Sequence, residues 1–196
     1  MEPLPLLADM LSGSDLVTLR DKALLFLGFA GAFRRSELVA VQIEDLTFTT
    51  QGMVVFIPQS KGDQLGAGSE IAIPYAPQKE ICAVRAVRNW MEAAGITSGP
   101  LFRGFKRNLQ PRDTQLNDKA VAEIVKKYMA RLGLDPSDFA GHSLRRGFAT
   151  SAAQHDLNTL EIMRQTRHKS EKMVHRYIEQ GNLFKENALD KMFNKK

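Results

Sequence analysis

Residues 141–150 read Gly-His-Ser-Leu-Arg-Arg-Gly-Phe-Ala-Thr (GHSLRRGFAT), with His142 and Arg145 three positions apart and an apolar run after them. On a helix that spacing sets two side chains on one face, while Leu144 and Phe148 would anchor the opposite one. A histidine and an arginine so paired can grip an anion, or can simply be polar caps on a core helix. The pair alone is common by chance, so the decision falls to the rest of the chain.

Working outward, most of the chain has helical periodicity. The stripe Val121, Ile124, Val125, Tyr128 and Leu132 begins after Asn117 and halts at Gly133, the pattern of an amphipathic helix. Further helices are predicted over about 143–153, 157–165 and 170–180, the last with Ser170 as cap and Gly181 as terminator. Upstream, Ser14 is the expected cap of a helix carrying Leu16, Leu19, Ala23 and Leu27 that ends near Gly31. Residues 77–94 carry Ile81, Val84, Val87 and Trp90, with Pro77 in the first turn and Gly95 as the stop. One segment differs: MVVFIP (53–58) and EIAIPY (70–75) are β-branched, apolar runs joined by a Gly-rich polar linker. They read as a β-hairpin with Lys61 near its tip. The expected fold class is therefore α+β, mainly helical with a small antiparallel β-sheet early in the chain.

Composition narrows the class. The chain of 196 residues can bury a proper core, and 43% hydrophobic with 25% charged residues is ordinary for a globular domain. No apolar run approaches the ~20 residues that span a bilayer, and the N-terminal stretch lacks the pattern of a secretory signal. A single cysteine, Cys82, excludes an internal disulfide framework and a cysteine-rich zinc site. A cytoplasmic protein with no membrane partner is expected. The formal net charge of +5 and a pI near 9.4 favour an anionic partner, though weakly.

Three other places hold candidate chemistry. In GAFRRSEL (31–38), Arg34 and Arg35 follow an apolar helix; arginines there often just solvate a helix end. Lys61 lies in SKGDQ, where a lysine is usually only a soluble turn residue. In RHKSEKMVHRYIEQG (167–181), Met173, Val174, Tyr177 and Ile178 share a helix face, and His175 falls off it.

Each motif is weak alone, but their order is specific. Arg-x-Ser-Glu-Leu after an apolar helix, a lysine on a following hairpin, His-x-x-Arg, then a histidine with a tyrosine nine residues later together resemble the tyrosine recombinase (phage integrase) family, from about Leu16 to Phe193. The segment GHSLRRGFAT is similar to the family's HxLRHTFAT-like motif. The resemblance implies the DNA breaking-rejoining catalytic-domain fold. It also implies a catalytic set of Arg34, Lys61, His142, Arg145, His168 and the nucleophile Tyr177, with Glu37 as the acidic residue supporting the first motif. The chain departs from the family in one motif, where Arg167 stands at the usual glycine before the last histidine. The family's N-terminal DNA-clamp domain is expected to be absent from the 196 residues. The expected division is a catalytic domain, 1–182, and an amphipathic tail, 183–196, exchanged between protomers.

These residue types suit strand cleavage without hydrolysis. A protein nucleophile keeps the phosphodiester energy in a covalent bond. Tyrosine, with an unperturbed pKa near 10, is only ~0.1% ionised at pH 7, a shortfall of about 4 kcal/mol to be met by a base or by nearby positive charge. Arg34 and Arg145 would hold the phosphorane oxygens bidentately. His142 would accept the tyrosine proton or donate to the phosphate, His168 would donate to a non-bridging oxygen, and Lys61 would protonate the leaving 5′-oxygen. The set includes no carboxylate cluster for Mg²⁺, so metal-independent chemistry with no cofactor is expected. Arg103, Lys106, Arg107 and Arg112, in the polar stretch RGFKRNLQPRD, are candidate contacts to the DNA backbone. The expected partner is double-stranded DNA, with a homo-tetramer on DNA and a monomer or weak oligomer without it. Two alternatives share the fold: a catalytically silent DNA-binding module and a type IB topoisomerase. The intact set of six argues against the first, and the short hairpin and compact His-to-Tyr spacing against the second. An unrelated helical regulator would leave the ordered motifs unexplained.

Overall fold

The computed structural model describes residues 3–58, 68–168 and 170–181. Helix α1 (Pro3–Met10) leads into α2 (Leu16–Ala30) and the short α3 (Arg35–Ala40). A three-stranded antiparallel sheet follows, in the order β1 (Leu46–Phe48), β2 (Gly52–Ile57), β3 (Ser69–Pro74). After α4 (Ala83–Ala94) comes a second antiparallel pair, β4 (Arg103–Phe105) and β5 (Pro111–Gln115), and then α5 (Asp118–Arg131). Three helices close the described chain: α6 (Ser143–Gln154), α7 (Thr159–Thr166) and α8 (Glu171–Gly181). The expected α+β class, mainly helical with small antiparallel sheets, is what the molecule has.

Helix α2 is the spine. Its run Ala23–Leu24–Leu25–Phe26–Leu27 is buried on every side, which a helix tolerates only at the centre of a domain. Asp15, not Ser14, caps it: the Asp15 carboxylate accepts from the Thr18 amide at 3.0 Å. Both residue types suit the position, and the aspartate's added charge at the dipole's positive end suits it better. Helix α4 lies along α2 and buries Val84, Val87 and Trp90, whose indole N–H donates to Leu101 O at 2.8 Å. It begins at Ala83, later than Pro77, because a single 3₁₀ turn over Lys79–Ile81 intervenes. The predicted hairpin is β2–β3, in register Val54↔Ala72 and Val55↔Ile71. Met53, Val55, Ile57, Ile71 and Ile73 point inward and Phe56 outward, the period of two that a half-buried sheet requires.

A buried ionic knot fixes α5 and the β4–β5 hairpin onto α2. Asp21, with no solvent exposure, accepts from Arg20 Nε at 2.7 Å, and from Lys127 Nζ and the Tyr128 hydroxyl at 3.1 Å each. Arg20 also donates to Arg103 O at 3.1 Å. Burial and the Asp21 carboxylate push the Tyr128 phenol well above its ordinary range, so it stays a donor. Removing the carboxylate would strand three donors around one hole. Asp21→Ala is therefore expected to lose about 3–5 kcal/mol of unfolding free energy, measured by denaturant titration. A loss under about 1 kcal/mol would mean that the knot contributes almost nothing.

Candidate active site

The site begins where α2 ends. Ala32 adopts a left-handed backbone (φ 46°), the Gly31 amide donates to Leu27 O, and Phe33 N returns to Gly28 O at 3.1 Å. This reversal breaks the chain direction, so Arg34 does not trail α2 as the sequence reading had it. It caps the next helix, α3. The Glu37 carboxylate reaches back to accept from the Arg34 amide at 3.0 Å and from the Arg34 guanidinium. Burial works to raise the Glu37 carboxyl pKa, but the hydrogen bonds from Arg34 and the charges of Arg167 and Arg34 outweigh it and hold it below the usual range. Glu37 is thus a buried anion already committed to its own arginines.

Arg145 approaches the same turn from the first turn of α6. It is 4% exposed, and its Nη1 donates to Ala32 O at 2.9 Å while the buried Nη2 has no hydrogen-bond partner. Burial, then the charges of Arg34 and Arg167, bring its pKa down to about 10. It remains charged at neutral pH, as a cation held in place against the preference of its surroundings.

His168 follows α7, with its Nδ1 2.8 Å from Thr166 Oγ1. The same hydroxyl lies 2.7 Å from Ile162 O. A carbonyl only accepts, so the hydroxyl proton goes to Ile162 O and Thr166 Oγ1 accepts from His168 Nδ1–H. The neutral imidazole then leaves Nε2 as a free acceptor. The His168 ring stacks on Tyr177 of α8, with centroids 5.9 Å apart and planes at 29°. Tyr177 is half-buried beside the small core of Ala149, Ala152, Ala153, Ile162 and Val174, and no hydrogen bond among the described residues holds its hydroxyl.

Burial and the charges of Arg145, Arg34 and Arg167 lower the His168 pKa to about 4. The imidazole of the free protein is therefore expected to stay neutral down to about pH 4, readable by NMR titration of its ring protons. The folded value lies below the unfolded one near 6.5. Stability from this group is present above pH 6.5 and is lost as pH falls through about 4. Titration near 6.5 would show that the guanidinium cluster does not face the ring.

The structure brings together Arg34, Glu37, Arg145, His168 and Tyr177. His142 is placed otherwise: it caps α6 with an exposed side chain, and no hydrogen bond or ring contact among the described residues ties it to the cluster. His142 stands at the N-cap of α6, its backbone in the helical region and its carbonyl accepting from Arg146 N at 2.9 Å. Lys61 and the tail 183–196 lie outside the described residues. Of the predicted DNA contacts, Lys106, Arg107 and Arg112 are exposed on or beside the β4–β5 hairpin, with Arg112 Nε bonded to Phe105 O. Arg103 turns its guanidinium inward, to Pro100 O at 2.9 Å, to Ser98 O, and to Asp113 at 3.6 Å. Sequence reasoning missed Thr166, since a threonine ending a helix carries no signal until its hydroxyl is seen bonded both ways.

The family model described as the phage integrase family matches residues 6–182. The chain belongs to the phage integrase family. Among its relatives is an integrase/recombinase xerD homolog of Selenomonas ruminantium, 68% identical over 195 residues that cover 100% of this chain and 57% of that protein. Another is the tyrosine recombinase XerA of Pyrococcus horikoshii, 32% identical over 67% of this chain and 40% of that protein. The chain thus spans about half the length of the curated relatives it matches. Among solved structures, a XerH site-specific recombinase in a post-cleavage complex with palindromic difH substrate is similar over 97% of this chain and 50% of its own, with a TM-score of 0.73 at 17% identity. A XerA recombinase is similar over 97% and 62%, with a TM-score of 0.65 at 14% identity. Both share the phage integrase fold. Among the described residues no helix is long and apolar enough to cross a membrane.

Proposed function

We propose that this chain is the catalytic portion of a site-specific DNA recombinase, cleaving and rejoining strands through a 3′-phosphotyrosyl bond to Tyr177. The observation that carries the reading is an electrostatic hole: three guanidinium groups, Arg34, Arg145 and Arg167, stand around a single carboxylate, Glu37, beside the stacked His168–Tyr177 pair. Such a surplus of positive charge is expensive unless an anion occupies it, and a phosphodiester supplies one. Arg34 and the unpartnered Nη2 of Arg145 are the donors for the non-bridging oxygens. As the phosphorane forms, negative charge grows there, so they stabilise the transition state more than the ground state.

Tyr177 attacks phosphorus, and the bond to the 5′-oxygen breaks. The tyrosine proton passes to a base, for which the acceptor Nε2 of neutral His168 is the described candidate. The family assignment of His142 to proton transfer requires its exposed ring to turn inward. Lys61, by the same resemblance, protonates the departing 5′-oxygen. Attack of a free 5′-hydroxyl on the phosphotyrosine reverses the step and rejoins DNA.

The basic β4–β5 hairpin supports double-stranded DNA as partner through Lys106, Arg107 and Arg112. By family resemblance the tail 183–196 docks on the next copy in a DNA-bound tetramer. An apolar groove of about 470 Å³ lined by Phe26, Phe29, Ile73, Tyr75, Ile81 and Phe148 offers a surface of the right chemistry to receive it. The protein works where DNA is, in the cytoplasm.

The test is covalent capture. The chain is incubated with nicked duplex carrying its cognate half-site or with supercoiled DNA, digested, and searched by mass spectrometry for a nucleotide-bearing peptide containing Tyr177. The adduct is expected; a DNA-bound protein without it is a silent binding module. Relaxation of DNA lacking any specific site would instead favour a type IB topoisomerase.

A further inference from the structure

Arg167 occupies a backbone conformation that its side chain does not favour. It ends α7 at φ 56°, ψ 38°, the left-handed region, where glycine is the residue without steric penalty. An arginine held there calls for a compensating gain, and its contacts supply one. Nη1 donates to Gly31 O and to Gln165 O at 3.1 Å each, Nη2 donates to Glu37 Oε2 at 2.8 Å, and the guanidinium lies 5.4 Å over the Phe33 ring. Its Nε is buried without a partner, so the group is not free to turn toward a ligand. Two of these four contacts fall on the turn between α2 and α3, the segment that delivers Arg34, and a third on Glu37 in the first turns of α3. Arg145 grips the same turn from the other side, at Ala32 O.

Glu37 is the shared element. Its Oε1 holds the Arg34 guanidinium and its Oε2 holds Arg167. Arg34 holds that carboxylate, which ends three rotatable bonds, from one side, through its amide and its guanidinium. Arg167, anchored by two backbone carbonyls, clamps it from the α7–α8 turn. We propose that Arg167 is a positioning residue that locks the Glu37 carboxylate from the α7–α8 turn and so fixes where Arg34 presents its remaining N–H groups to the scissile phosphate. The assignment rests on the recombinase reading for its catalytic consequence and on geometry alone for its structural one. It also joins the two halves of the site, since the turn that bears His168 and the turn that bears Arg34 then move together.

The experiment pairs Arg167→Gly and Arg167→Lys with Arg34→Ala in the full chain. Arg167→Gly suits the left-handed backbone, so folding is expected to survive, checked by thermal melting. Single-turnover cleavage of a nicked duplex is expected to slow about 10- to 100-fold in Arg167→Gly, the effect of misplacing a catalytic group by about 1 Å. Arg167→Lys should recover part of the loss. In the Arg34→Ala background, Arg167→Gly should change the rate little further, because the two act through one group. Parent-like cleavage by Arg167→Gly, or an equal loss with and without Arg34, would overturn the proposal. A second readout needs no cleavage: the Nε–H NMR signal of Arg34, assigned by its disappearance in Arg34→Ala, should shift or broaden in Arg167→Gly. An unchanged signal overturns the assignment even if DNA is cut. A shifted signal in a parent that forms no Tyr177 adduct keeps the positioning role and removes the recombinase reading.

Discussion

Phenylalanine at position 177 is expected to abolish covalent capture of DNA while leaving the fold intact. The hydroxyl is the sole atom removed, and no hydrogen bond among the described residues holds it. The ring keeps its stack on His168 and its seat beside Val174. Stability should therefore change by no more than about 0.5 kcal/mol. In the proposed mechanism cleavage depends on that oxygen entirely, because it is the atom that bonds to phosphorus. The SDS-resistant protein–DNA complex should fall by at least about 10³-fold, the scale on which enzymes lose rate without their nucleophile. DNA affinity, set by cations the substitution does not touch, should persist in a gel-shift assay. Retained capture would transfer the nucleophile to another residue.

Arg145→Met should separate stability from activity in the opposite direction. The guanidinium is buried with one of its terminal nitrogens unsatisfied, and two other arginines press on it. Methionine fills similar volume without carrying charge into that hole. Its introduction leaves Ala32 O without a donor, at about 1 kcal/mol, and relieves a desolvated cation, a change often neutral or stabilising by about 1–4 kcal/mol. The melting temperature should hold or rise. Cleavage should fall about 10²- to 10³-fold, the typical effect of deleting one preorganised donor to a developing oxyanion. A protein that unfolds with this substitution would make Arg145 a structural residue. A rise in stability with loss of rate is the mark of a site kept strained for its substrate.

The parts of the fold legible in the sequence are those with local cause. Helix α5 showed its stripe and its Asn117 cap, and the bounds of α6, α7 and α8 fall within two residues of those expected. The β2–β3 pair announced itself by alternating apolar residues around a polar linker. What stayed hidden depends on distant partners. The polar run RGFKRNLQPRD reads as a solvated loop, yet β4 and β5 pair within and just beyond it because Arg20 and Trp90 hold its base. β1 has only three residues, too few to show a period. For the site, the structure sets Arg34, Arg145, His168 and Tyr177 near one another. Helical spacing set His142 beside Arg145 but could not tell that His142 is exposed at the N-cap while Arg145 is buried. It also gave no sign that Arg167, noted only as a departure from the family pattern, would pair with Glu37 across 130 positions.

Helix α8 owes its seat to a small cluster of its own, distinct from the large one built around α2. Three of the five buried members of that cluster are alanines, side chains that offer close approach but little adhesive area. Yet α6, which carries Arg145, supplies those alanines, and α7, which ends at Arg167, supplies Ile162. In the proposed mechanism the attacking oxygen and Arg145 therefore ride on one light bracket, while Arg34 follows the chassis of α2. Loosening that bracket would shift the nucleophile and one of its two phosphate donors together, so the same few small side chains tune both the approach of the oxygen and the shape of the anion's cradle.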